Sequence, residues 1–162
     1  MNIDFADKRL VLTGAAGIFG RRIARYFAQR GARLCLSDRR ADALHSMVAD
    51  LEPDPSRILV HETELTRQAS MDELVAMVAR EWGAPDILVS NAGICPFHAF
   101  LDMPVDVVER TFKVNLHGAY FMVQAAAQQM VKQGHGGAIV AVSSISALVG
   151  GEYQTHYTPT KA

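Results

Sequence analysis

A tyrosine and a lysine stand four residues apart in the stretch HYTPTKA, as Tyr157 and Lys161. On a helix, this spacing places both side chains on the same side. A phenol exchanges protons readily near neutral pH only when a neighbouring positive charge stabilises its phenolate, and a lysine ammonium supplies such a charge. The pair is therefore a candidate for proton transfer, and the alternative is an ordinary solvated pair at the start of a helix.

A second candidate for chemistry is the glycine-rich stretch TGAAGIFG, which follows the first predicted strand directly. Glycines at a strand-to-helix turn let a diphosphate approach the backbone, and the free N–H groups of the helix terminus attract its charge. The stretch predicts a phosphate cradle, with glycines that serve only helix–strand packing as the alternative. The residues assigned to the cradle are Gly14, Gly17, Ile18, Phe19 and Gly20.

An acidic residue, Asp38, closes the second predicted strand, where a carboxylate can accept the hydroxyls of an adenosine ribose. The same carboxylate would repel a 2′-phosphate, so NAD is favoured over NADP. Arg39 and Arg40 follow directly and are placed to neutralise that repulsion, which leaves NADP possible. We therefore predict that Asp38 and Arg39 contact the cofactor. The structural alternative for Asp38 is an N-cap for a helix that begins near Ala41.

Short apolar runs separated by helix-length segments must position these residues. Strand alternating with helix is the signature of a parallel sheet, and runs that are apolar on both faces indicate burial between two layers of helices. The pattern predicts an α/β fold with a doubly wound parallel sheet in three layers, within one domain that spans residues 1–162. The predicted strands are 9–14, 33–38, 57–62, 86–93 and 137–144, and a helix that is either long or slightly broken is predicted over 104–132.

Composition argues against several classes of partner. The chain has 162 residues, of which 49% are hydrophobic, and 16 basic against 17 acidic residues give a net charge of −1, so no nucleic acid or membrane partner is expected. Acidic residues stand near the N-terminus where a signal peptide would be basic, which predicts a cytoplasmic location. The two cysteines and the scattered histidines lack metal-ligand spacing, so no metal site is predicted.

Five motifs, in this order, resemble the short-chain dehydrogenase/reductase family over essentially the whole chain. The glycine stretch resembles the family's cofactor loop, and NAG at Asn91, Ala92 and Gly93 resembles its signature after the fourth strand. VNLHG contains the family's asparagine, VSSIS its serine and YTPTK its Tyr-x-x-x-Lys pair. The resemblance implies a Rossmann-type NAD(P)-binding domain that is incomplete at its C-terminus, because full-length members continue with further strands and helices.

The resemblance also implies an active site of four residues. The family's usual separation from the tyrosine selects Ser144 rather than Ser143 as the catalytic serine. Tyr157 would act as the general acid or base, and Lys161 would stabilise its phenolate and bond the nicotinamide ribose. Ser144 would bond the substrate oxygen, and Asn115 would support a water chain that carries protons out.

Further cofactor contacts follow from the same resemblance. Glu64 and Leu65 stand where the family has an acid and an aliphatic residue near the adenine, and both Tyr157 and Lys161 would also touch the cofactor. The loop departs from the classical spacing, because Ile18 stands where a glycine is expected. Its side chain is predicted to crowd the diphosphate.

The favoured function is an NAD(H)-dependent oxidoreductase that transfers a hydride between nicotinamide and a secondary alcohol or ketone. One alternative is a 3-oxoacyl thioester reductase that acts on acyl-carrier protein with NADPH, and another is a non-catalytic nucleotide-binding protein or inactive fragment. The expected partners are a small-molecule alcohol or ketone and, in the full-length form, further copies of the chain in a homodimer or homotetramer. His156 is predicted to line the substrate pocket.

Overall fold

A five-stranded parallel sheet lies at the centre of the computed structural model, which describes residues 4–51 and 54–162. The spatial order of the strands is β3-β2-β1-β4-β5, so the chain runs outward from β1 in both directions. The strands are β1 Arg9–Thr13, β2 Arg33–Asp38, β3 Ile58–Glu62, β4 Ile87–Ser90 and β5 Ala138–Ala141, and every neighbouring pair is parallel. The predicted α/β class with a doubly wound parallel sheet is confirmed.

Helices cover both faces of the sheet because successive residues of a strand point to opposite sides. Leu10 and Leu12 lie in one buried cluster with α1 (Ile18–Ala28) and α2 (Ala41–Leu51), which is the first layer of helices. Val11 lies in a second buried cluster with side chains of α3 (Gln68–Trp82) and α5 (Ala119–Gln133), which form the opposite layer. Among the described residues, no helix is both long and apolar enough to cross a membrane.

The helix predicted over 104–132 is interrupted. It begins as α4 (Val105–Phe112), widens into a π-helical turn at Lys113–Gly118 and continues as α5. Gly118 closes the π-helical turn against Leu65, because a Cβ at position 118 would lie 2.8 Å from the Leu65 carbonyl oxygen. Turns of this kind occur frequently at functional sites, and this one contains Asn115.

Two short 3₁₀ turns follow β5, at Ile145–Ala147 and Thr158–Thr160. Tyr157 directly precedes the second turn and Lys161 directly follows it, with Pro159 inside the turn. Proline is tolerated there because the first turn of a helix leaves its N–H groups unpaired. All four residues of β5 are exposed, so one edge of the sheet is open.

A half-buried ion pair joins the amino ends of β1 and β4. The Arg9 backbone N–H and Nε donate to Asp86 Oδ2 at 2.8 Å each, and Nη2 donates to Oδ1 at 2.9 Å. Nη1 donates to the Trp82 carbonyl at 3.0 Å, which ties the end of α3 to the same point. The hydrogen bond from Arg9 lowers the pKa of the Asp86 carboxyl.

We expect Asp86→Asn to lower the free energy of unfolding by about 1 to 3 kcal/mol at pH 7, because a charged hydrogen-bond acceptor is lost. The folded-state pKa is depressed, so this stabilisation is present above the ordinary value of 3.8 and is lost as pH falls through the folded-state pKa. Urea unfolding at pH 7 and at pH 3 measures both effects. Asp72→Asn, on an exposed position of α3, is the control, and an equal loss in both variants would contradict the prediction.

Candidate active site

A cleft of about 1010 Å³ opens where the carboxyl ends of β1, β2, β3 and β4 meet. It lies beside the point at which the strand order reverses between β1 and β4, the place where open α/β sheets bind ligands. Apart from Tyr157 and Lys161, every residue predicted to contact the cofactor lines this cleft. These residues are Gly14, Gly17, Ile18, Phe19, Gly20, Asp38, Arg39, Glu64, Leu65, Asn91, Ala92 and Gly93.

Two glycines of the loop after β1 have no room for a side chain. Gly14 has φ +65°, and a Cβ there would lie 2.8 Å from Ala92 Cα. A Cβ on Gly20 would overlap the carbonyl oxygen of Gly14 and lie 2.6 Å from that of Ala15. The helix α1 therefore packs directly on the loop and leaves an open cradle at its amino end.

Ile18 and Phe19 form the rim of this cradle. Ile18 is the first residue of α1, and it is 79% exposed, while Phe19 is 71% exposed. Both line the cleft from positions that lie largely in solvent. The predicted crowding of a diphosphate by Ile18 stays a prediction.

Asp38 braces two parts of the cleft at once. Its Oδ2 accepts a hydrogen bond from the Ala16 backbone N–H at 3.1 Å, which holds the glycine loop. Its Oδ1 accepts from the Arg40 backbone N–H at 3.1 Å and from Arg40 Nε at 3.3 Å. The carboxylate thus supports the chain just before α2, and its charge is paired with an exposed guanidinium at the edge of the cleft.

The NAG segment is fixed to the glycine loop through Thr13, which the sequence analysis did not assign. The backbone N–H groups of Asn91 and Ala92 donate to Thr13 Oγ1 at 3.0 and 3.1 Å. Asn91 Nδ2 donates to the carbonyls of Thr13 and Gly14 at 3.0 and 3.2 Å. These bonds hold the ends of β1 and β4 together at the floor of the cleft.

Asn115 is buried in the π-helical turn, and its side chain bonds two separate segments. Oδ1 accepts from the Ile94 backbone N–H, and Nδ2 donates to the Ile94 carbonyl, each at 2.8 Å. Nδ2 also donates to Thr160 Oγ1 at 3.1 Å. Asn115 therefore fixes the chain after the NAG segment and the turn between Tyr157 and Lys161.

Lys161 lies next to Gly93, which lines the cleft, and Tyr157 lies near Lys161. The Lys161 Nζ donates to the Val142 carbonyl at 2.9 Å and lies 5.9 Å from the centroid of the Tyr157 ring. A Cβ on Gly93 would lie 3.3 Å from Lys161 Nζ and 3.4 Å from Asn115 Oδ1. Because Gly93 lines the cleft, the Lys161 and Asn115 side chains lie directly behind the cleft wall at this point. Burial lowers the pKa of the Lys161 ammonium.

The two serines after β5 have different partners. Ser143 Oγ donates to the Lys161 carbonyl at 2.6 Å, so its proton is used within the protein. Ser144 Oγ accepts from the Ser146 backbone N–H at 3.2 Å. Its own proton is bonded to no described residue. The choice of Ser144 rather than Ser143 as the catalytic serine stays a prediction.

Comparison with known proteins gives the same family as the motifs. A sequence model of the family described as short chain dehydrogenase matches residues 8–162. The chain belongs to the short-chain dehydrogenase family. A solved short-chain dehydrogenase/reductase from Mycobacterium marinum superposes with a TM-score of 0.92 at 31% identity, over 98% of this chain and 63% of that one.

Two curated relatives within the short-chain dehydrogenase family carry the same kind of name. A Sphingomonas protein named L-rhamnose 1-dehydrogenase (NAD(P)(+)) is 60% identical over 96% of this chain and 61% of its own length. A protein of that name from Azotobacter vinelandii is 48% identical over 96% of this chain and 62% of its own. The chain thus spans about three fifths of the length of these relatives.

The helix α4 and the π-helical turn supply part of the cleft wall, and the sequence analysis did not assign them. The side chains that line the cleft recur every three to four residues, which places them on one face of a helix. This periodicity is the feature of the sequence that indicates them. The side chains concerned are Asp106, Glu109, Arg110, Lys113 and Val114.

His156, which was predicted to line the substrate pocket, is 4% exposed. Its ring nitrogens have no hydrogen-bond partner among residues 4–51 and 54–162. The side chain is therefore part of the packed interior there rather than an open pocket wall. In the same described ranges, no three His, Cys, Asp or Glu side chains are grouped as metal ligands would be.

Proposed function

We propose that the protein containing this chain is an NAD(P)-dependent dehydrogenase that oxidises the C1 hydroxyl of L-rhamnose or a closely similar sugar to the lactone. The observation that carries the proposal is the position of Lys161 and Asn115 against Gly93, at the border of the cleft. The names of the two curated relatives, at 60% and 48% identity, support the sugar as substrate. The sequence alone predicts a secondary alcohol or ketone as substrate, and the proposal limits that class to a sugar.

The cleft fits a nicotinamide dinucleotide. Gly14 and Gly20 let the loop after β1 and α1 pack together without side chains between them, so the amino end of α1 faces the cleft, where N–H groups and the helix dipole attract a diphosphate. Asp38 would hold the adenosine ribose and Lys161 the nicotinamide ribose. When bound, the nicotinamide ring supplies the acceptor for the hydride that leaves C1 of the sugar.

The chain's own residues would handle the proton. Ser144 would donate a hydrogen bond from its free hydroxyl to the C1 oxygen and so hold that oxygen beside Tyr157. The Tyr157 phenolate would accept the proton of the C1 hydroxyl as the hydride leaves C1, so that one proton and one hydride account for the oxidation. The Lys161 ammonium would stabilise the phenolate before this transfer.

Asn115 would act as a positioning residue. Its bonds to Ile94 and Thr160 fix both the cleft wall and the turn that carries Lys161. We propose that it supports a chain of waters that carries the proton away past the lysine. The predicted assembly into a homodimer or homotetramer also stays a proposal, and exposed Tyr120 and Val131 on α5 give it an apolar surface.

The paired charges at Asp38 predict that both cofactors bind. Arg40→Ala removes the guanidinium that pairs with Asp38, so the carboxylate would repel a 2′-phosphate more strongly. We expect the Kd of NADPH to rise about tenfold and that of NADH to change about twofold at most. Fluorescence titration measures both constants. Arg25→Ala, on the exposed face of α1, is the control, and an equal change for the two cofactors in Arg40→Ala would contradict the prediction.

A substrate panel tests the proposed function. The protein that contains this chain is assayed with L-rhamnose and NAD⁺ or NADP⁺, with a simple secondary alcohol, and in reverse with an acetoacetyl thioester and NADPH. We expect kcat/KM to be highest for the sugar. Fastest turnover of the thioester would favour the 3-oxoacyl reductase alternative, and cofactor binding without turnover of any substrate would favour a non-catalytic protein.

A further inference from the structure

A glutamine side chain bridges the segments that carry Ser144 and Tyr157. Ser146 Oγ donates to Gln154 Oε1 at 2.7 Å, across eight residues of chain. On one side of this bridge, the Ser146 backbone N–H donates to Ser144 Oγ at 3.2 Å. On the other side, the Tyr157 backbone N–H donates to the Gln154 carbonyl at 2.9 Å. Gln154 is therefore connected by hydrogen bonds to both candidate catalytic segments.

The other end of the carboxamide has no hydrogen-bond partner in the part of the chain that the structure describes. Gln154 is half-buried, and its Nε2 donates to no atom of residues 4–51 and 54–162. Gly151 leaves the space beside it, because a Cβ there would lie 3.0 Å from Gln154 Cδ and 3.1 Å from Nε2. An anchored amide with a free N–H donor is suited to recognise a hydroxyl.

We propose that Gln154 is a specificity-determining residue, whose Nε2 donates a hydrogen bond to the C2 hydroxyl of the sugar, next to the reacting C1. This inference rests on the proposed function, in which Ser144 and Tyr157 hold the C1 oxygen. Gln154 is hydrogen-bonded to Ser146, next but one to Ser144, and to the Tyr157 backbone, so in this proposal its free donor would reach the substituent next to that oxygen. A simple alcohol offers no such hydroxyl.

A thermodynamic cycle that changes both the protein and the substrate measures this contact by itself. The kcat/KM of L-rhamnose and of 2-deoxy-L-rhamnose is measured for the unchanged protein and for Gln154→Ala. We expect the unchanged protein to prefer L-rhamnose about tenfold, because a site that bonds a hydroxyl discriminates against an analogue that lacks it. In Gln154→Ala, the preference is expected to fall to about one, because the kcat/KM of L-rhamnose falls more than that of the 2-deoxy analogue.

Two further variants separate recognition from a structural role. Ser146→Ala breaks the same 2.7 Å hydrogen bond but keeps the carboxamide, so a purely structural role predicts that both variants slow both sugars alike. Gln124→Ala, on an exposed position of α5, is the matched control and should keep the tenfold preference. A preference in Gln154→Ala that equals that of the unchanged protein overturns the inference alone. Absence of sugar turnover in the unchanged protein overturns the proposed function and the inference with it.

Discussion

Tyr157→Phe is expected to lower kcat for the sugar by about 10²- to 10⁴-fold, with little change in the Kd of NADH. The variant keeps the ring near Lys161 Nζ but removes the hydroxyl that exchanges the proton. Positioned general acid–base catalysis contributes a factor of about this size. Steady-state kinetics give kcat, and fluorescence titration gives the Kd.

Tyr120→Phe is the matched control for this variant, because Tyr120 is 63% exposed on α5, outside the candidate site. It is expected to leave both kcat and the Kd unchanged. A Tyr157→Phe protein that turns the sugar over as fast as the unchanged protein would remove Tyr157 from the proposed mechanism. A loss of NADH binding together with activity would instead indicate a structural role.

Lys161→Met is expected to lower kcat/KM by about 100-fold and to weaken NADH binding. The substitution keeps the length of the side chain but removes the charge that would stabilise the phenolate and the donor that would bond the nicotinamide ribose. It also breaks the 2.9 Å hydrogen bond to the Val142 carbonyl. Lys132→Met, in the exposed last turn of α5, is the control.

The pH profile provides a second readout for Lys161. Burial lowers the pKa of its ammonium, so in the unchanged protein the proton is lost below the ordinary lysine value of 10.5. Activity that needs the ammonium should therefore decline on the alkaline side before pH 10.5 is reached, and this decline should be absent in Lys161→Met. An alkaline limb that is identical in both proteins would contradict the assigned role.

The sheet and the cleft floor could be predicted from the sequence because their signals are local. Each strand is a short apolar run, and the carboxyl ends of parallel strands meet at one edge. Gly14 directly follows β1, and Asp38 is the last residue of β2. Assigning the two strands is therefore enough to predict that both residues lie at the same edge of the sheet. The glycine requirement at Gly14 is equally local, since it depends on the positive φ of a tight turn.

Other features depend on partners far away along the chain, and local patterns do not report them. Thr13 bonds the backbone at Asn91, 78 residues later, and only the finished sheet brings the two together. The π-helical turn at Lys113–Gly118 looks like an ordinary helix in sequence, because the residues that pack against it, such as Leu65, belong to another segment. The Gln154 bridge spans only eight residues, but it lies in irregular chain after β5, where no periodic pattern indicates which side chains meet.

Transfer of deuterium from the sugar to the cofactor tests the central claim most directly. The protein that contains this chain is incubated with NAD⁺ and L-rhamnose deuterated at C1, and the reduced cofactor is examined by mass spectrometry and NMR. The proposal predicts one deuterium at C4 of the nicotinamide and the lactone as product, and it predicts that both form about 10²- to 10⁴-fold more slowly in Tyr157→Phe. Saturable binding of NAD⁺ with no deuterium transferred would contradict it.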